Sequence, residues 1–97
     1  MKNIAYSDLF VAYGKLLSKA QAEMTEMYYL FDLSLAEIAE IKGVTRQSVA
    51  DTLKKARAEL DKLETAIGYV EKKDKIVAFA EGLDGAKREA LLSIVEK

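Results

Sequence analysis

The chain contains no cysteine, no histidine, no proline and no tryptophan. Without cysteine there is no disulfide framework and no thiolate metal site. Without histidine, the commonest zinc ligand and the commonest general base are missing as well. Carboxylates such as Glu23 and Glu26 remain, at the ordinary spacing of a solvated helix face, and no nucleophile has a base beside it in the chain. The expectation is therefore a protein that is not an enzyme and carries no cofactor. No segment reaches the roughly 20 apolar residues needed to cross a bilayer, and the opening "MKNIAYSDLF" lacks the sustained apolar run of a secretory signal. The expected setting is the cytoplasm, with no membrane insertion. Neither sign of charge dominates, with 16 acidic and 15 basic residues, yet 51% of the 97 residues are hydrophobic, which is ample for a folded core.

What the chain does have is helix-forming residues. Ala, Leu, Glu and Lys dominate, Val, Ile and Thr are scattered, and no strand is expected. A first helix over about Tyr6–Leu17 lines up Tyr6, Leu9, Phe10, Tyr13, Leu16 and Leu17 as one apolar stripe. Ser18 and Gln21 form a capping box that opens a second helix, about Lys19–Leu30, with a stripe of Ala20, Met24, Met27, Tyr28 and Phe31. Ser34 and Glu37 form another box ahead of a short helix, about Leu35–Ile41. Gly43 then stands where a helix calls for a left-handed end, and Thr45 at an N-cap. From Val49 the apolar residues fall at Val49, Leu53, Ala56, Leu60, Leu63, Ile67 and Val70, alternating spacings of four and three. That heptad seam fits either a second copy of the chain or the first helix of the same copy. Gly68 is expected to bend or stop the helix. The stretch "EKKDK" reads as a solvated face or loop, followed by a helix of about Lys75–Ala80 presenting Ile76, Phe79 and Ala80. Asp84 caps a last helix of about Ala86–Val95 whose expected buried side is Ala90, Leu91, Ile94 and Val95.

The middle of this pattern is a helix-turn-helix. Such a motif needs a small residue where its helices approach, a glycine in the turn and apolar residues fixing the angle. Ile38, Ala39, Gly43, Val44 at the corner and Val49 supply them. With Val49, Leu53, Ala56 and Leu60 inward, Gln47, Asp51, Lys54 and Ala58 turn outward, flanked by Ser48, Ala50 and Lys55. Arg46 and Gln47, at the start of the second helix, are the candidates for base edges, since Arg can donate twice to guanine and Gln can pair two ways with adenine. Thr45, Ser48 and the free amides of the first turn suit phosphate oxygens, and Lys42, Lys54 and Lys55 suit phosphates at the flanks. Asp51 could accept from a cytosine amino group, but its expected role is to pair with Lys55. Residues 42–57 hold Lys42, Arg46, Lys54, Lys55 and Arg57 against Asp51, a balance of plus four, whereas residues 18–41 balance at minus four. The acidity therefore sits on the scaffold.

The tyrosine pair, "SLAEIA" and "GVTRQSVAD" together resemble the YlxM proteins of Gram-positive bacteria and mycoplasmas, over roughly residues 6–65. The stretch "SLAEIAEIKGVTRQSVADTLKKARAEL" is similar to the promoter-reading region 4 of sigma factors. The resemblance implies an all-α protein, a small helical bundle with a wingless helix-turn-helix and further C-terminal helices. It assigns DNA contact to Thr45, Arg46, Gln47, Ser48, Asp51 and Lys54. It also implies a regulator of the signal recognition particle pathway, often encoded beside Ffh and FtsY. Two departures stand out: Lys42 occupies a place usually apolar, which hands packing to Ile41, and Ala50 stands where a tyrosine is common. The expected organisation is a core over residues 1–65, with the motif at 34–60, and an extension over 66–97 packing on that core or on a dimer partner. Two functions are expected: a homodimeric regulator binding double-stranded DNA, or an adaptor docking on signal recognition particle proteins or RNA.

Overall fold

A computed structural model describes residues 4–95, all of whose regular elements are helices: α1 (Ile4–Tyr13), α2 (Lys19–Thr25), α3 (Leu35–Lys42), α4 (Arg46–Ile67), α5 (Tyr69–Ala80) and α6 (Gly85–Val95). The chain divides into two compact units, 1–67 and 68–97. Among the described residues no helix is long and apolar enough to cross a membrane.

In the first unit α4 is the spine, with α1, α2 and α3 all packed on it. Met24, Ile38, Ala39, Val49 and Leu53 form the core under the turn, with Met27, Tyr28, Leu33 and Leu35 closing its edges. Ala56 and Leu60 continue the buried line beneath α1, whose Leu9 and Tyr13 are buried. The heptad seam is thus largely consumed inside the unit: Val49, Leu53, Ala56 and Leu60 are buried, while Ile67 is 48% exposed and Val70 belongs to the next helix. Gly68, at φ 67°, is the reason for the break, because a left-handed residue ends α4.

Both capping boxes form as the sequence predicts. Ser18 and Gln21 exchange side-chain-to-backbone bonds, and so do Ser34 and Glu37. The helices between them depart from the simple stripes. α1 stops at Tyr13 and the chain tightens into a 3₁₀ turn at Gly14–Leu16, so Leu17 is buried while Leu16 faces outward. Beyond Thr25 the chain widens into a π-helical turn, Glu26–Leu30, in which the Phe31 amide donates to the Glu26 carbonyl at 3.1 Å. One extra residue in that turn rotates the next side chains by about 100°. Phe31 is consequently 61% exposed instead of buried. Ala20 is exposed too, and Thr25 is buried in its place. Asp32 takes a left-handed φ of 55°, and the Leu33 amide reaches back to the Met27 carbonyl at 3.0 Å, which turns the chain into α3.

A polar seam that the apolar periodicity does not reveal ties α1 to the far half of α4. The Tyr6 hydroxyl donates to Asp61 at 2.9 Å, which holds that phenol above its ordinary pKa, and the Tyr13 hydroxyl donates to Glu64 at 2.5 Å. The Tyr6 and Tyr29 rings lie 5.9 Å apart, and Tyr28 meets Tyr29 edge-on at 4.9 Å.

The second unit is an antiparallel hairpin of α5 and α6. The stretch "EKKDK" lies inside α5, where Glu71 and Lys75 pair one turn apart at 3.0 Å, and not in a loop. Asp84 caps α6 by accepting from the Lys87 amide at 3.0 Å. The Tyr69 hydroxyl donates to the Val95 carbonyl at 3.3 Å and joins the open end of the hairpin. Of the expected apolar side chains Ala80 is buried and Leu91 and Val95 are half-buried, but Ile76, Phe79, Ala90 and Ile94 are exposed. Two helices alone cannot cover both faces of each other.

Candidate nucleic-acid interface

The turn between α3 and α4 has the geometry its residues require. Gly43 has φ 68°, the Val44 amide donates to the Ala39 carbonyl at 3.0 Å, and the Gly43 amide to the Glu40 carbonyl at 3.3 Å. These paired bonds terminate α3 in a Schellman motif. Thr45 then caps α4, its hydroxyl accepting from the Ser48 amide at 3.0 Å. Ile38 and Val49 are fully buried and Ala39 nearly so, which fixes the two helices at the pivot. Val44 does not plug the corner. It is 40% exposed, since a residue just beyond a left-handed glycine leaves the helix axis.

Thr45, Arg46, Gln47, Asp51, Lys54 and Lys55 are exposed and Ser48 is half-buried, so these candidate residues stand together on the outer side of α4 and at its N-terminal end. A shallow groove of about 380 Å³ is lined by Asp51, Lys54, Lys55 and Ala58. The Gln47 side-chain amide donates to Asp51 at 2.9 Å. Asp51 is therefore bound to Gln47 one turn back, and the expected pairing with Lys55 is not formed. A Gln amide has two N–H groups and an oxygen, so one N–H can rest on Asp51 while the oxygen and the second N–H still meet adenine.

Two cations counted on this face belong to the scaffold. Lys42 is half-buried, and its ammonium is bonded to Glu23 of α2, whose carboxyl is held below its ordinary pKa by that bond. Ile41 is exposed, so the apolar role at the end of α3 does not pass to it; the aliphatic stem of Lys42 and its ion pair occupy the place. Arg57 is half-buried and donates to the Tyr29 hydroxyl at 3.4 Å. Arg46, Lys54 and Lys55 remain outward against Asp51, which lowers the balance of this face from plus four to plus two. Sequence reasoning could have found the Lys42 partner, since a lysine at an apolar motif position needs a carboxylate beside it; only packing reveals Tyr29 beside Arg57.

Among the described residues no cluster of three or more carboxylates offers a metal site. The α4 start instead presents free first-turn amides, a guanidinium, a carboxamide and hydroxyls, a set suited to phosphate and base edges.

The comparisons with known proteins agree with this motif. A family model described as "Putative helix-turn-helix protein, YlxM / p13 like" matches residues 1–93. A UPF0122 protein of Thermoanaerobacter is 45% identical over 69 residues, which cover 71% of this chain and 59% of that one. A UPF0122 protein of Symbiobacterium thermophilum is 37% identical across 92% of this chain and 83% of its own length. One from Clostridium acetobutylicum is 31% identical across 99% and 92%. The chain thus spans about three-fifths of the first of these relatives and most of the other two. With the motif's turn, caps and pivot in place and the family model covering nearly the whole sequence, the chain belongs to the YlxM/p13-like helix-turn-helix family.

Proposed function

We propose that this chain is a regulatory protein that binds double-stranded DNA as a homodimer, with α4 as the recognition helix. The observation that carries the reading is the joint exposure of Arg46 and Gln47 at the free N-terminal end of a capped helix whose opposite face is buried. Arg46 and Gln47 read base edges; Thr45, Ser48, the first-turn amides, Lys54 and Lys55 hold phosphates. Lys42 contributes only if its bond to Glu23 opens. Three outward cations per copy make few phosphate contacts, which is why two copies are part of the reading. A role in the signal recognition particle pathway rests on the family resemblance alone. The test is binding to a random DNA library. Enrichment of a sequence by the wild type, lost in Arg46→Ala, supports the reading, and no enrichment at low salt removes it.

A second reading is favoured by the same small charge. With Lys42 and Arg57 committed to the scaffold, the face suits an adaptor that docks on a signal recognition particle protein such as Ffh or FtsY, or on its RNA. Recovery of one of these by the purified full chain, with no enriched DNA, selects that reading.

A further inference from the structure

The cations of α4 do not end with the turn motif. At about 100° per residue, Gln47, Asp51, Lys54, Lys55, Ala58 and Lys62 fall on one narrow stripe, on the side of α4 opposite the buried line of Val49, Leu53, Ala56 and Leu60. All six are exposed. Lys62 lies beyond the stretch 42–57 whose charge was counted above, and with it the stripe carries Lys54, Lys55 and Lys62 against Asp51, which Gln47 holds. The three lysines pair with no carboxylate among the described residues, unlike Lys42, which is bonded to Glu23. The other carboxylates of this half of α4 stand to its flanks: Asp61 and Glu64 accept from Tyr6 and Tyr13 of α1 on one side, and Glu59 is half-buried on the other. The shallow groove on this face is lined by Lys54 and Lys55 together with Ala58, whose single methyl leaves room for a bulky ligand.

Resting on the DNA-binding reading above, we infer that α4 lies along the major groove instead of entering it end-on, and that Lys62 is a further residue holding a phosphate. Length separates the two poses. At about 1.5 Å per residue, Lys54 and Lys55 stand about 10 to 12 Å beyond Gln47, and Lys62 about 22 Å beyond it. The major groove is about 8.5 Å deep. With Gln47 at the base edges, an end-on helix brings Lys54 and Lys55 to the rim and leaves Lys62 clear of the duplex. Laid along the groove, the same stripe faces phosphates over its whole length, since duplex DNA carries one charge per roughly 1.7 Å of its axis. Three unpaired lysines on one line, with Ala58 and its groove among them, suit the second pose. Charge complementarity identifies what they meet as the sugar–phosphate backbone.

Salt titration of duplex DNA binding by the full chain, with Lys62→Ala beside Lys54→Ala, decides it. Lys62→Ala should flatten the log–log slope by about two across two copies, as much as Lys54→Ala does. It should also weaken binding to a selected site and to random DNA alike, because a phosphate contact carries no sequence information. Lys62→Arg should keep the wild-type slope. Lys15→Ala, which removes an exposed cation outside α4, should leave the slope unchanged. A slope that falls in Lys54→Ala but not in Lys62→Ala overturns the inference and leaves the DNA-binding reading standing. A slope that falls equally in Lys15→Ala overturns it too, since total charge and not the stripe would then be at work. A wild type that binds no duplex at low salt removes the reading and the inference together.

Discussion

Lys42, the last residue of α3, is bonded through its ammonium to Glu23 of α2, so the cation nearest the turn serves the scaffold before it can serve a ligand. The bond holds the Glu23 carboxyl below the ordinary glutamate value of 4.5. A depressed carboxyl contributes stability above its unfolded value, and the contribution fades as the pH falls through the folded value. Glu23→Gln should therefore lower the urea midpoint at about pH 7, and lower it by less at about pH 4, where the unfolded chain begins to take up the proton. The same change frees Lys42 in each of the two copies for the outer face and should steepen the slope of log affinity for DNA against log salt by about two. Equal midpoint differences at both pH values would show that the pair does not hold the helices.

The Gln47–Asp51 bond sets the direction of the one neutral base-reading side chain in the motif. Asp51→Ala removes both that orientation and a negative charge beside the phosphates. Random DNA should bind more tightly, while discrimination at the base pair read by Gln47 falls by roughly 1 to 3 kcal/mol. Competition binding between a selected site and its single-base variants measures both. Retained discrimination would mean that Gln47 needs no support.

Two aliphatic positions on one heptad seam should respond very differently. Leu60 is fully buried under α1, and Leu60→Ala should cost about 2 to 5 kcal/mol in chemical unfolding. Ile67, on the same seam but half exposed, should cost about 1 kcal/mol or less when changed to Ala. Similar losses at the two sites would restore the reading of the whole seam as one continuous interface.

At Gly43 nothing lies within 4 Å of where a Cβ would stand, so substitution is opposed by the backbone alone. Gly43→Ala at φ 68° should cost about 1 to 2 kcal/mol, measured by the shift of the unfolding midpoint, with the helix content unchanged. No shift would place the turn in another conformation.

The features legible in the sequence are those made by neighbours in the chain. The Ser18–Gln21 and Ser34–Glu37 boxes, the Gly43 turn, the Thr45 cap and the buried Ile38, Ala39 and Val49 are all set by local spacing. What could not be read depends on contacts across the fold. Phe31 leaves the core because the turn before it winds as a π-helix, which no apolar period announces. Asp61 and Glu64 look like solvated charges until Tyr6 and Tyr13 of α1 arrive beside them. The candidate interface lost Lys42 and part of its charge for the same reason: Glu23 and Tyr29, distant in the chain, claim Lys42 and Arg57.

The central claim is that α4 meets DNA through its outward residues. Salt titration of the binding of duplex DNA to the full chain tests it most directly. Two or three phosphate contacts in each of two copies predict a log–log slope of about −4 to −5, reduced by about two in magnitude in Lys54→Ala, where each copy loses one contact. No binding at low salt, or a slope unaltered by that change, would contradict it.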